Sequence, residues 1–151
     1  MEKLPLGTNI VAQIAFVVND IEKTAQAYAD FLGVEKPPII MNGTPDKTEV
    51  QYMGQPTNAR AKLAFFDIGP NIRLELIEPD MEPSTWRNEL DKYGEGIHHI
   101  AFFIKGMNEK IGILERNGMP LVQKGNYPGG RYAYIDAKEE LKTIIELLEN
   151  D

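Results

Sequence analysis

Cysteine is absent from the chain, which excludes disulfides, thiolate zinc sites and cysteine nucleophiles. Serine occurs once, as Ser84 in Pro83-Ser84-Thr85-Trp86. That run reads as a helix start, not as the sharp turn that exposes a serine nucleophile. Neither GxGxxG nor the P-loop pattern GxxxxGK occurs, so the usual glycine-rich phosphate cradles are missing. Positive charge is short as well: 16 Lys and Arg stand against 23 Asp and Glu, a net charge of −7 with no basic cluster. Phosphate-backbone contacts need clustered cations, so no nucleic-acid partner is expected. The longest apolar run, residues 10–18, is broken by Gln13 and is far short of the ~20 residues that cross a bilayer. The first residues lack the basic, apolar, small-residue order of a signal peptide. A cytoplasmic protein with no membrane partner is the expectation.

Histidine is scarce too. The two present, His98 and His99, are adjacent, and neighbours on a regular strand point to opposite faces. A two-histidine iron site is therefore disfavoured.

What remains is an ordinary globular composition, 42% apolar and 26% charged over 151 residues. It is expected to form a single domain over 1–151 with a self-sufficient core. Residues 9–18 read as an apolar strand. Residues 19–33 follow with Ile21, Ala25, Tyr28 and Leu32 at helical spacing. Asn19 and Glu22 resemble a capping box, and Gly33 is a natural stop. The Pro-rich residues 34–46 read as loop, and residues 47–53, 60–68 and 71–78 as strands. A linking helix at about 84–94 presents Trp86, Leu90 and Tyr93. The pattern then restarts: strand 96–104, a helix with Met107, Ile111 and Leu114 on one face, and strands 120–124, 131–136 and 143–149. The order predicts two βαβββ modules, about 9–79 and 96–149, in an α+β fold.

Short matches support the duplication. Gln13-Ile14-Ala15-Phe16 recurs as His99-Ile100-Ala101-Phe102, and Glu75-Leu76-Ile77-Glu78 as Glu146-Leu147-Leu148-Glu149. Period-two alternation puts Ile14, Phe16 and Val18 on the face beneath the helices, with Ile100, Phe102 and Ile104 on the equivalent face. The opposite faces carry Gln13 with Ala15 and His99 with Ala101, a polar residue beside a small one. Glu75 and Glu146 each sit between aliphatics on the closing strands. If the two halves face one another, Gln13, Glu75, His99 and Glu146 converge, offering an amide oxygen, two carboxylates and an imidazole. One divalent ion, Zn, Co, Ni or Mn, suits that donor set and its charge. His98 is expected to point the other way, as a structural residue or pocket wall, and Glu78 and Glu149 to be solvated at strand ends. Lys124, Tyr127, Gly129, Gly130, Arg131, Tyr132 and Tyr134 read as a hairpin with aromatic packing; Arg131 or Lys124 could instead meet an anionic group. Residues 53–61 form a loop able to cover a pocket.

Three stretches resemble the vicinal oxygen chelate superfamily: Gln13-Ile-Ala-Phe-Val-Val-Asn-Asp-Ile-Glu-Lys, Leu74-Glu-Leu-Ile-Glu-Pro79 and Gly94-Glu-Gly-Ile-His-His-Ile-Ala-Phe102. Within it the methylmalonyl-CoA epimerases are nearest and glyoxalase I (lactoylglutathione lyase) next. The resemblance implies a U-shaped mixed sheet around a divalent metal, and often a homodimer. It also implies that His99, the second histidine of the pair, ligates the metal, with Glu75 and Glu146 at other ligand positions. Epimerases usually carry His where Gln13 stands, whereas eukaryotic glyoxalase I has Gln, Glu, His and Glu in this order.

The implied function is a metal-dependent epimerase acting on an acyl-CoA or thioester, which abstracts the proton α to the thioester carbonyl and stabilises the enolate with the metal. Glu146 would be the base. Bacterial epimerases place a second catalytic carboxylate on the strand equivalent to residues 60–68, where this chain reads Lys62-Leu63-Ala64. Glu49 is the nearest substitute. An anionic CoA would need local cations such as Lys62, Lys105, Lys124 or Arg131. The alternatives are a glyoxalase I-like lyase, for which Glu75 and Glu146 would suffice, a non-catalytic metabolite-binding module of the same fold, and a protein-interaction domain.

Overall fold

Alternating apolar runs separated by Gly, Pro and Asn give a sheet-rich chain, and a computed structural model describes all of residues 1–151. Its strands are β1 (Gln13–Val17), β2 (Ile40–Met41), β3 (Gln51–Tyr52), β4 (Gln55–Pro56), β5 (Ala61–Gly69), β6 (Ile72–Pro79), β7 (Gly96–Phe103), β8 (Leu121–Tyr127), β9 (Gly130–Ala137) and β10 (Thr143–Asn150). The helices are α1 (Ile21–Leu32), α2 (Pro45–Thr48), α3 (Thr85–Tyr93), α4 (Met107–Arg116) and α5 (Lys138–Leu141). The strands form one mixed sheet in the order β2-β5-β6-β1-β7-β10-β9-β8-β3-β4.

The register expresses the duplication directly. β1 runs parallel to β6 with Ala15 opposite Glu75, and β7 runs parallel to β10 with Ala101 opposite Glu146. β1 and β7 then join the halves antiparallel, Gln13 opposite Ala101 and Ala15 opposite His99. As the alternation predicts, Phe16 and Val18 pack beneath α1 with Ile21, Ala25 and Ala29, and Ile100, Phe102 and Ile104 pack beneath α4 with Met107, Ile111 and Leu114. Each fully buried aliphatic here, such as Ile21 or Leu76, contributes ~1.5–3 kcal/mol.

The third apolar cluster shows how the sheet curls. It joins Ala61 and Leu63 of β5 to Tyr132 and Tyr134 of β9, although four strands lie between them in the sheet. At ~4.8 Å per strand a flat sheet would hold them roughly 24 Å apart. Curling brings both ends around α3, whose Trp86 and Leu90 fill the inside, while Tyr93 of the same helix is 61% exposed. Ser84 starts α3 by accepting from Arg87 N–H at 2.9 Å, as its sequence setting predicts.

Four local expectations are corrected. The cap of α1 is Asp20, which accepts from Lys23 N–H at 3.1 Å; Asn19 instead donates its backbone N–H to Glu95 Oε2. Residues 47–53 do not form a strand of the first half. Pro45, with its φ preset for a first helical turn, opens α2, and β3 beyond it pairs with β8 of the second half. The outer strand of the first half is β2, inside the segment read as loop. Glu78 and Glu149 are not simply solvated. Glu78 accepts from Ile21 N–H (3.0 Å) at the start of α1, and Glu149 from Gly106 (2.7 Å) and Met107 (3.2 Å) at the start of α4. Each half thus ends its closing strand with a carboxylate on the first N–H groups of its own crossover helix, where the helix dipole favours negative charge.

Candidate metal centre

The alanines opposite Glu75 and Glu146 are fully buried, and their lack of bulk leaves room on the inner face for the longer polar side chains beside them. Gln13, Glu75, His99 and Glu146 meet there. His99 Nε2 lies 3.2 Å from Gln13 Oε1, 3.5 Å from Glu75 Oε1 and 3.1 Å from Glu146 Oε1. The carboxylates are 6% and 5% exposed and His99 is 0%. One ligand-type atom from each of Glu75, His99 and Glu146 lies within 4.8 Å of the others.

Burial governs the electrostatics. It pushes the Glu146 carboxyl up to about 8, against the hydrogen bond from Tyr134 that favours its charge. Glu75 is pushed well above the usual carboxylate range by burial and then by the charge of Glu146, with Arg73 opposing. Burial alone brings His99 down to about 3, and burial with the neighbouring His99 brings His98 well below its ordinary value. Two carboxylates and an amide oxygen facing one another without a cation are mutually repulsive. Turning the Gln13 amide relieves this in the metal-free cluster, its nitrogen then donating to His99 Nε2 (3.2 Å), Glu146 Oε1 (3.0 Å) and Glu75 Oε1 (3.2 Å). With the oxygen inward, four acceptors surround one point, and two carboxylates balance a double charge. The residues present therefore fit a small divalent ion with an O₃N environment.

His98 is where the sequence reasoning fails. Ala15 pairs with His99 but Phe16 pairs with Ile97, so His98 is the extra residue of a β-bulge. The bulge breaks the alternation and brings both imidazoles together, Nδ1 to Nδ1 at 2.7 Å. His98 is 1% exposed, and its Nε2 lies 3.1 Å from Thr85 Oγ1.

Several supporting residues had no signal of their own. Trp86 Nε1–H donates to Tyr134 Oη at 3.0 Å, Thr85 N–H donates to Gln123 Oε1 at 2.8 Å, and Gln123 Nε2 donates to Tyr132 Oη at 3.1 Å. Tyr132 and Tyr134 share a face of β9, and Tyr134 is the cross-strand neighbour of Glu146. Their period-two spacing was visible, but it read equally well as packing.

Glu49 is not brought to the cluster. It ends α2 with φ 48°, is exposed, and accepts from Asn126 Nδ2 at 3.2 Å. It lies on the wall of a cleft of about 1020 Å³ that also includes Thr57, Lys124, Arg131 and Tyr132. Arg131 there is held by Glu149 at 3.1 Å and by Asp151, which leaves Lys124 as the cleft's unpaired cation. Lys62 pairs with Glu78 at 3.5 Å. No helix is long and apolar enough to cross a membrane.

Comparison with known proteins agrees with this architecture. A sequence profile of the glyoxalase/bleomycin resistance protein/dioxygenase superfamily matches residues 12–134. The uncharacterized protein YqjC of Bacillus subtilis (strain 168) is 33% identical over 95 residues, spanning 60% of this chain and 66%, just under two thirds, of that protein. Methylmalonyl-CoA epimerase from Mycobacterium tuberculosis superposes with a TM-score of 0.64 at 22% identity, covering 93% of this chain and 87% of that one. A methylmalonyl-CoA epimerase in complex with methylmalonyl-CoA and NH4+ superposes with a TM-score of 0.61 at 19% identity, covering 93% of each chain. At these identities the likeness to the solved structures is one of fold.

Proposed function

The chain belongs to the glyoxalase/bleomycin resistance protein/dioxygenase superfamily, and from that premise we propose that it is a divalent-metal-dependent epimerase of the methylmalonyl-CoA type. The observation that carries the reading is the convergence of Gln13, Glu75, His99 and Glu146, two residues from each half of the sheet. When bound, a divalent ion supplies Lewis-acid polarisation of a carbonyl oxygen, which acidifies the adjacent C–H.

Glu146 is the base in this reading. Burial pushes its carboxyl up in the metal-free cluster, and beside a bound divalent ion it would return toward the ionised form that a base needs. Tyr134, whose hydroxyl donates to the carboxylate, and the strand pairing around it hold Glu146 in place. The proton moves from the carbon α to the thioester onto Glu146, and inversion requires a proton to return to the opposite face. Glu49 is our nomination for that donor, and it would have to reach the carbon from a cleft that none of the four cluster residues lines; Lys124, on the same wall, is the cation a CoA phosphate could meet.

One observation favours a second reading. Glu49 is anchored to Asn126 on the cleft wall and not to the cluster. In glyoxalase-type chemistry a proton passes between adjacent carbons of a hemithioacetal, and the two cluster carboxylates suffice.

Solvent-deuterium incorporation at C2 of methylmalonyl-CoA, with cobalt-loaded protein of verified stoichiometry and a chelated control, tests the first reading. Metal-dependent exchange that disappears in Glu146→Gln is the expected result. No exchange from fully loaded protein rejects this substrate and moves the hemithioacetal of methylglyoxal and glutathione to the front.

A further inference from the structure

Resting on the metal-holding role proposed for His99, we propose that His98 and Thr85 are positioning residues that fix His99 in the tautomer protonated on Nδ1, so that Nε2 presents its lone pair to the cluster. The two Nδ1 atoms are 2.7 Å apart. At that separation one carries a proton and the other accepts it, because two N–H groups or two lone pairs facing each other would repel.

Two arrangements satisfy the contact. In the first, His98 Nδ1–H donates to His99, whose own proton then sits on Nε2 and points at Gln13, Glu75 and Glu146. In the second, His99 Nδ1–H donates to His98, whose proton sits on Nε2 and is donated to Thr85 Oγ1 at 3.1 Å. Only the second leaves a nitrogen lone pair for a cation. His98 can accept at Nδ1 while Thr85 Oγ1 takes its Nε2 proton. The same hydroxyl could donate to His98 Nε2 in the first arrangement, so a cation's need for the His99 lone pair selects the second and Thr85 supports it. The tautomer of the inner ring is thus supported from outside the cluster, through His98 and Thr85.

The backbone supports this assignment. A regular ladder would place His98 on the outer face beneath the helices; the bulge between Ala15 and Phe16 turns it inward. Bulges commonly re-aim a side chain beside a working site. Thr85 is itself fixed. It is the first residue of α3, follows the Ser84 cap, and its N–H is held by Gln123. A carboxylate or carbonyl on the outer nitrogen of a metal-bound histidine is the common device; here a second histidine and a threonine take that place.

The test compares wild type with His98→Leu, His98→Asn, Thr85→Val and Thr85→Ser. Zinc affinity is read by competition with a chromophoric chelator, and ¹⁵N-histidine spectra of zinc-loaded wild type report which ring nitrogens carry protons. Losses of about 10–100-fold are expected for His98→Leu, which removes the partner of His99 Nδ1, and about 10-fold for Thr85→Val. His98→Asn, whose amide oxygen can accept near the Nδ1 position, and Thr85→Ser should restore most of each loss. In the spectra His99 should be protonated on Nδ1 and His98 on Nε2. A His98 proton on Nδ1 in the zinc-loaded protein overturns the proposal, even where His98→Leu fails to fold. So does unchanged zinc affinity in folded His98→Leu and Thr85→Val. Wild type that takes no zinc rejects the metal reading itself, whereas wild-type binding with indifferent variants rejects only the roles of His98 and Thr85.

Discussion

Glu75 and Glu146 are each nearly sealed from water yet face one another across His99 Nε2. Nothing in packing favours two buried carboxylates at one point, and their shared position is what an ion would exploit. In metal-free protein the arrangement is a cost. Glu75→Gln keeps the shape and removes one charge from a site where burial and then Glu146 disfavour it, so metal-free Glu75→Gln should melt above wild type at pH 9. The sign follows from Glu146, raised from 4.5 to about 8. Between those values the folded protein holds a proton the unfolded chain has released, so that contribution falls as pH rises. The gain from Glu75→Gln should therefore be larger at pH 9 than at pH 5, and the variant should lose its response to zinc. Melting curves in chelator and in zinc check both; a gain independent of pH would mean that the carboxylates do not repel.

Helix ends and hairpins show which elements can be read locally. Glu149 lies below the usual carboxylate range chiefly because Gly106 N–H donates to it, then through Met107 and Arg131. A depressed carboxyl contributes stability above its unfolded value, 4.5 here, and loses it as pH falls through the folded one. Glu149→Gln should melt below wild type at pH 7, with the difference closing as pH falls below the unfolded value of 4.5; a constant difference would remove the charge from the explanation. The β3–β4 turn makes another prediction. Met53 and Gly54 both have positive φ, 53° and 80°, the requirement of the tight hairpin turn that Asn-Gly fills best. Met53 is 64% exposed, so Met53→Asn should stabilise by about 0.5–1 kcal/mol, read as a shift in denaturation midpoint at unchanged slope. Amphipathic periodicity, the Ser84 cap and the Gly33 stop were legible because each is encoded within a few residues. The bulge at His98 was not, because alternation presumes an unbroken ladder. Nor was the landing of β3 on β8, since a two-residue strand carries no local mark of its distant partner.

At the scale of the whole molecule the duplication was legible from two four-residue matches, and it predicted all four cluster residues because symmetry turns separate weak signals into one. Glu49 lay outside that symmetry and was placed by analogy, which is why it alone did not arrive. The same symmetry makes a mechanical prediction. Gln13 and Glu75 belong to β1 and β6, and His99 and Glu146 to β7 and β10. β1 and β7 meet along one antiparallel seam, and an ion held by all four residues would bridge it. A ligand that binds only the folded state adds ~2.7 kcal/mol at a hundredfold its dissociation constant, about 5–10 °C in melting temperature for a chain of this size. Zinc or cobalt at that excess should raise the melting temperature by that amount, and a chelator should reverse it. Because the ion ties both halves, amide exchange should slow together in β1, β6, β7 and β10. Slowing confined to β7 and β10 would mean that Gln13 and Glu75 do not hold the ion, and that the cluster works as a half-site and not as a clamp across the seam.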